Sequence, residues 1–317
     1  MGVRGVFHYV ECDGCRTVYQ NPRVRDEDLA LCYPADYFTH VGPPWTPSPA
    51  PVKSLRDRLR RAIRAAADGV PDEHLSPGLR VVGWMLSRHP GLRWRARLGL
   101  VDGLEVSPGD HGRCLEVGPG QGVDLFCLRT LGWEAQGLDV DPVAAERART
   151  TSGCEVRVGT LESVPYLPAH FDLVYMSHVV EHLPDPARAL ARCAELLAPG
   201  GRVVLVFPNP AALTVQLFGR FSCVFEPPRH LVLPPVQAAA SLLGKAGFSA
   251  VQVSTSARHA ATYLSASRTQ RGGAAWDWRR PRPPAPGDRL LGVLEGLLVA
   301  LGLPVGEEVV LRARKPQ

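Results

Sequence analysis

Three short stretches of this 317-residue sequence bring together residue types that can do chemistry. In GRCLEVGPGQGVDL (112–125), Gly118, Gly120 and Gly122 stand at alternate positions around Pro119, so the backbone can turn tightly and approach a ligand where a Cβ would collide. A dinucleotide-binding loop has the pattern GxGxxG, with its third glycine one residue later and a pyrophosphate on the helix that follows. The spacing here differs, and Glu116 just before the loop repels a diphosphate while attracting a cation directly or through water. An NAD dehydrogenase is therefore disfavoured. Asp139, 17 residues beyond Gly122 at the end of GLDVD, stands where a doubly wound fold places an acid that accepts both hydroxyls of a ribose. Asp141 reads as the cap of the next helix, with the two roles open to exchange.

The second stretch is SHVVEHLPDP (177–186), and the third is EPPRH (226–230). His178, Glu181, His182 and His230 are candidates for acid–base work. A hydrogen-bonded structural cluster is the competing reading. CDGC adds Cys12 and Cys15, but one cysteine pair cannot close a tetrahedral structural site, so zinc is not expected there and the pair reads as a turn. Tyr33, Tyr37 and Phe38 read either as a lid or as core.

These groups need elements to hold them. Residues 111–255 alternate short apolar runs with helical patterns, which implies a parallel sheet covered on both faces. CLEVG, EAQGLDVDP, EVRVGT, FDLVYMS and RVVLVFPNP read as five strands, and AVQVST and EEVVLRARK as a sixth and seventh. VDLFCLRTLG reads as a helix ended by glycine, and a second helix runs from Val143 to about Thr150. DPARALARCAELLAPGG reads as a helix capped by Asp185, with Ala187, Leu190, Ala191, Ala194 and Leu197 on its buried face and Pro199, Gly200 and Gly201 as its stop. Three regions follow: a degenerate Cys-containing segment and lid at 1–40, a helical cap or linker at 41–110, and a main domain at 111–317. The main domain carries an insert at about 257–305. The insert's Trp276, Trp278 and the stretch RLLGVLEGLLVALGL suit an acceptor pocket, a homodimer interface or ordinary core.

Composition narrows the classes. Hydrophobic residues make up 45% and charged residues 21%, which excludes global disorder. The net charge of +5 comes mainly from arginine. RDRLRRAIR (56–64) reads as a solvated helix face, and no aromatic-interleaved motif accompanies it, so no nucleic acid is expected. No stretch reaches the roughly 18–20 apolar residues of a membrane span and no signal pattern opens the chain, so a cytoplasmic location is expected. The eight cysteines read mostly as small buried hydrophobes without disulfides.

The glycine loop and Asp139 together indicate a ligand with adenosine and a cationic or zwitterionic tail, a description that S-adenosylmethionine (SAM) fits. LEVGPGQG, GLDVDP, the GTLES turn, HVVEHLPDP, LAPGGRVVLVFPNP and EPPRHL, in that order, resemble the class I SAM-dependent methyltransferases. The resemblance covers about residues 111–255, with GEEVVLRARKP similar to the group's last strand. It implies an α/β Rossmann-like fold, seven-stranded and mostly parallel with an antiparallel last strand, preceded by an N-terminal cap. By the same resemblance, Glu116, Gly118, Pro119, Gly120 and Gly122 meet the methionine end of SAM. Asp139 takes the ribose with Asp141 beside it, Val140 packs on adenine, Thr160, Leu161 and Glu162 approach its edge, and Ser177 and His178 close the site. HVVEH with His230 is also similar to methyltransferases in which two glutamates and one or two histidines hold a divalent metal. His178 here replaces the first glutamate, and three imidazoles (His178, His182 and His230) with one carboxylate (Glu181) suit Zn²⁺, Fe²⁺ or Co²⁺ better than Mg²⁺. The expected reaction is methyl transfer to a small-molecule acceptor in specialised (natural-product) metabolism, at a hydroxyl oxygen because histidine bases suit hydroxyl deprotonation, with carbon and nitrogen methylation left open. Two alternatives stand beside it: use of SAM without methyl transfer, by cyclisation or aminocarboxypropyl transfer, and a catalytically idle SAM-binding partner protein.

Overall fold

The computed structural model of the chain describes residues 5–34, 37, 55–68, 75–89, 92, 96, 103–104, 111–278 and 282–317. Phe38 and most of the expected cap at 41–110 lie outside the described residues. The chain divides into two compact units, one made of residues 1–43 with 159–317 and the other of residues 44–158.

The first unit opens with a hairpin, β1 (Tyr9–Glu11) and β2 (Val18–Gln20), whose turn carries the CDGC pair. A 3-10 segment (Asp26–Cys32) then leads to Tyr33 and Tyr37. The second unit contains the helices α1 (Leu55–Asp68) and α2 (Pro77–Leu86), then β3 (Arg113–Val117), α3 (Val123–Thr130), β4 (Glu134–Asp139), α4 (Pro142–Ser152) and β5 (Glu155–Val158). The caps follow from residue chemistry. Asp141 Oδ1 accepts from the amides of Val143 and Ala144 at 2.7 and 3.0 Å, Pro142 starts α4, and Gly153 ends it at φ 65°.

The first unit resumes with β6 (Phe171–Ser177), α5 (Pro186–Leu196), β7 (Leu197–Pro208), α6 (Leu213–Phe218), β8 (Val232–Leu233), α7 (Val236–Lys245), β9 (Ser249–Ser256), α8 (Ala260–Arg271), α9 (Pro286–Ala300) and β10 (Glu308–Arg314). The strands form a three-stranded sheet in the order β1-β2-β8 and a seven-stranded sheet in the order β5-β4-β3-β6-β7-β10-β9. β10 runs antiparallel to both β7 and β9, as expected of the last strand. β6 (FDLVYMS) and the second half of β7 are buried almost throughout, as the continuous apolar runs required of strands covered on both faces.

Two details of the sequence reading need correction. α5 stops at Leu196 rather than at the glycines, because Pro199 disfavours helical backbone in the preceding residue and Leu197 already pairs with Phe171. Its buried face is Ala189, Leu190, Cys193 and Leu196, whereas Ala187 and Ala191 are exposed. Alanine fits either side of a helix, and a buried cysteine shifted the seam. In the insert, Trp276 packs with Cys223 and Ala266, and α9 buries Asp288 and Glu295 while Leu290, Val293, Leu297 and Leu301 face outward. Asp288 is satisfied there by Ser265 Oγ at 2.6 Å and by Arg268 at 2.7 and 3.0 Å.

Candidate functional site

The glycine loop belongs to residues 44–158. Gly118, Gly120 and Gly122 adopt φ of 68°, 53° and 77°, the left-handed region that disfavours side chains. Gly118 N donates to Leu138 O at 2.8 Å, which ties the loop to the end of β4, and Gly122 N donates to Pro119 O at 2.8 Å. A Cβ on Gly122 would meet the backbone of Ala148 at 2.7 Å, so this glycine lets α3 and α4 approach. Glu116 is buried at the end of β3, and among the described residues its Oε2 has no hydrogen-bond partner. Burial, with the charges of Asp124 and Asp139, holds its carboxyl well above the usual range. Asp139 Oδ1 accepts from Asp141 N at 2.9 Å, and Asp141 is the cap of α4. Val140 is exposed beside them.

The second constellation belongs to the other unit. The GTLES turn is closed by Thr160 N on Ser163 Oγ at 2.8 Å and Ser163 N on Thr160 Oγ1 at 3.1 Å. Leu161 is buried, and Glu162 lies 3.8 Å from Arg188. After Ser177, the end of β6, His178 turns with φ 56° while its amide donates to Val206 O at 2.8 Å. Val180–His182 then form a single 3-10 turn. That turn and the EPPRH loop bring Glu181, His182 and His230 together, and among the described residues their ligating atoms all lie within 4.8 Å of one another.

The hydrogen bonds fix which nitrogens carry protons. His178 Nδ1 is 3.3 Å from Glu181 Oε1 and its Nε2 is 3.1 Å from Glu308 Oε1. Ionised carboxylates only accept, so the ring donates from both nitrogens as an imidazolium and keeps no lone pair. Burial pulls its pKa down, but the hydrogen bonds and charges of the two glutamates win and hold it well above the usual value. Glu181 is pushed up by burial and brought down to about 2 by the His178 hydrogen bond and the surrounding imidazoles. Glu308 is likewise lowered against its burial by His178, His259 and Arg258.

His182 behaves oppositely. Its Nδ1 is 3.0 Å from Arg229 O and 3.1 Å from the Tyr33 hydroxyl. A carbonyl only accepts, so Nδ1 carries the hydrogen and the lone pair lies on Nε2, 4.0 Å from Glu181 Oε1. Burial is the main cause that pushes this imidazole down to about 4. His230 is arranged the same way, donating from Nδ1 to Val224 O at 2.6 Å, with Nε2 4.0 Å from Glu181 Oε1. Glu181 itself is fully buried, and among the described residues neither of its oxygens has a hydrogen-bond partner beyond that ion-pair contact with His178.

The N-terminal segment is docked onto this cluster. Arg229 pairs with Glu226 at 2.8 Å, donates to Cys32 O at 3.2 Å, and lies 5.2 Å from the Tyr37 ring, which in turn meets Tyr33 edge-on. Sequence reasoning placed His178, Glu181, His182 and His230 together. It missed Glu308 and Arg229, although two adjacent glutamates opening an otherwise apolar strand signal that one of them has a buried partner.

Residues 92–253, just over half of the chain, match a family model described as a methyltransferase domain. Over 115 residues the chain is 35% identical to a ubiquinone biosynthesis O-methyltransferase of Xanthomonas euvesicatoria, covering 34% of this chain and 48% of that protein. Over 124 residues it is 31% identical to an uncharacterized 37.1 kDa protein in transposon TN4556 of Streptomyces fradiae, covering 37% of this chain and 35% of that one. The chain thus spans less than half the length of these two relatives. Among solved structures, a SAM-dependent methyltransferase from Thermotoga maritima, described as a possible histamine N-methyltransferase, superposes with a TM-score of 0.46 at 22% identity, covering 69% of this chain and 86% of that chain.

Proposed function

This chain belongs to the family of class I SAM-dependent methyltransferases, and from that premise we propose that it transfers the methyl group of SAM to a hydroxyl oxygen of a small-molecule acceptor. The observation that carries the acceptor side is the Nε2 lone pair of His182, turned toward the ionised Glu181, with His230 Nε2 facing the same carboxylate. A neutral imidazole beside a buried carboxylate can take a proton because the imidazolium it becomes is paired at once. The Xanthomonas relative is named as an O-methyltransferase, which is the same chemical class.

The residues of the glycine loop fit SAM. The orphaned, buried oxygen of Glu116 suits the cofactor's ammonium, the left-handed glycines leave room for its methionine end, and Asp139 is placed at a strand end for the ribose. SAM supplies a methyl group already electrophilic on its sulfonium. The chain's task is to orient the acceptor, exclude water and take the hydroxyl proton at His182 or His230.

A second reading rests on the same three side chains. Two imidazoles tied to backbone carbonyls through Nδ1, and a carboxylate with orphaned oxygens, are the donor set of a divalent metal of the zinc, iron or cobalt type. Such an ion would lower the pKa of a bound hydroxyl.

The test is transfer of labelled methyl from SAM to catechol, as a general hydroxyl acceptor, by the wild type and by His182→Ala and His230→Ala, with and without chelator. Lower turnover with unchanged S-adenosylhomocysteine affinity in both variants supports the proposal. Wild-type turnover in both removes the histidines from the reaction, and loss on chelation with recovery on cobalt selects the metal reading.

A further inference from the structure

β10 enters the large sheet against the direction of its neighbour. Ser177 pairs with Val206 across parallel β6 and β7, and Pro208 pairs with Glu308 across antiparallel β7 and β10. The first residue of β10 therefore lies at the edge where β6 and β7 end. Glu308 is followed by Val309, Val310 and Leu311, all buried, and is itself only 1% exposed. An ionised carboxylate in such a place is costly unless paired. Its hydrogen-bond partner is His178 Nε2 at 3.1 Å, and Arg258 and His259, just beyond β9, lend positive charge nearby.

The other half of the bridge is His178 Nδ1 on Glu181 Oε1 at 3.3 Å. His178 is a non-glycine residue at φ 56°, a conformation kept only where surrounding contacts over-determine it. With the backbone so bent, the ring spans the carboxylate of Glu181 in the 3-10 turn and that of Glu308 at the start of β10. We propose that Glu308 is a positioning residue of the acceptor-side cluster. By gripping Nε2 of His178 it fixes the ring whose Nδ1 holds Glu181 toward His182 and His230. The inference rests on reading that cluster as the acceptor side. Glu308 lies beyond residues 92–253, so the family match does not include it.

The experiment compares full-length wild type, E308Q and E308A, each with S-adenosylhomocysteine, by crystallography, by calorimetry and by methyl transfer from SAM to catechol. In E308A the His178 ring is expected to leave Glu181, with S-adenosylhomocysteine affinity within about twofold and turnover down about tenfold or more. In E308Q the amide oxygen still accepts from Nε2, so the ring is expected to stay and most of the turnover to return. If the alanine variant does not fold, Glu308→Thr takes its place. The proposal is overturned by a His178 ring that keeps its position in E308A, by an E308Q ring displaced as far as in E308A, or by cofactor affinity lost in step with the ring. A wild type that binds S-adenosylhomocysteine but leaves catechol unmethylated counts against the proposed reaction, and the crystallographic comparison then decides the positioning role alone.

Discussion

The Tyr33 hydroxyl and His182 Nδ1 meet at 3.1 Å across 149 residues of chain, on the nitrogen that also faces the Arg229 carbonyl. Burial holds the Tyr33 phenol well above its ordinary pKa, so it stays protonated. Two oxygens on one nitrogen pin the ring plane and aim Nε2 at Glu181. Tyr33→Phe keeps the ring contact and removes one of the pins. Turnover is expected to fall about fivefold, the scale of one hydrogen bond of roughly 1 kcal/mol, with S-adenosylhomocysteine affinity unchanged. Single-turnover kinetics and calorimetry check both halves.

Gly120 sits at φ 53° in the loop assigned to the methionine end of SAM. A β-branched side chain there is strained and fills the approach of the ligand. Gly120→Val is expected to abolish S-adenosylhomocysteine binding in calorimetry while circular dichroism shows a folded chain. Unchanged affinity in the folded variant removes the loop from the cofactor site.

Glu116 titrates on the same cofactor side. Its pKa is raised by burial and by Asp124 and Asp139, whereas the ammonium of SAM favours the carboxylate, so binding releases a proton. Affinity for S-adenosylhomocysteine is therefore expected to fall as pH drops through the raised value. Glu116→Gln is expected to weaken binding about tenfold near neutral pH and to flatten the pH dependence, as fits the loss of a charge-assisted hydrogen bond. Calorimetry in buffers of different ionisation enthalpy counts the proton.

Glu295 gives a stability prediction far from the chemistry. It is buried on α9 beside Glu307, and burial is the main cause that raises its pKa to about 7. In the unfolded chain the group ionises near the ordinary carboxylate value, about 4.3. Between that value and about 7 the unfolded state binds fewer protons than the folded one, so the stability present below the lower value is lost as pH rises. Glu295→Gln removes the titrating group and is expected to raise Tm more at pH 8 than at pH 5, measured by calorimetric scans at the two pH values.

The centre of the sheet was legible because β3, β6 and β7 are largely apolar runs bounded by Gly, Pro and Asp, and no tertiary information is needed to see LEVGPG or FDLVYMS end where they do. The caps Asp141 and Asp185 were legible for the same local reason. The histidine cluster was half legible: HVVEH is contiguous, and His230 stands in the Pro-stiffened EPPRH loop after the fifth strand. Glu308, 130 residues from His178, carries no local mark of its partner, and the tautomers of His182 and His230 depend on the Arg229 and Val224 carbonyls, which side-chain identity does not reveal. The buried face of α5 was misread because small residues satisfy helical periodicity in more than one rotation.

The pairing of Pro208 with Glu308 also has a temporal side. A chain growing from the ribosome makes β7 first and its antiparallel partner a hundred residues later, after β9. Until then the VVLVF edge of β7 has no second neighbour, and nascent chains with such an edge are the ones that chaperones hold and that aggregate at high expression. The contact of His178 with Glu308 can therefore form only after β10 has been made. Slow expression at low temperature should favour native protein over inclusion bodies far more than it changes the properties of the chain once folded.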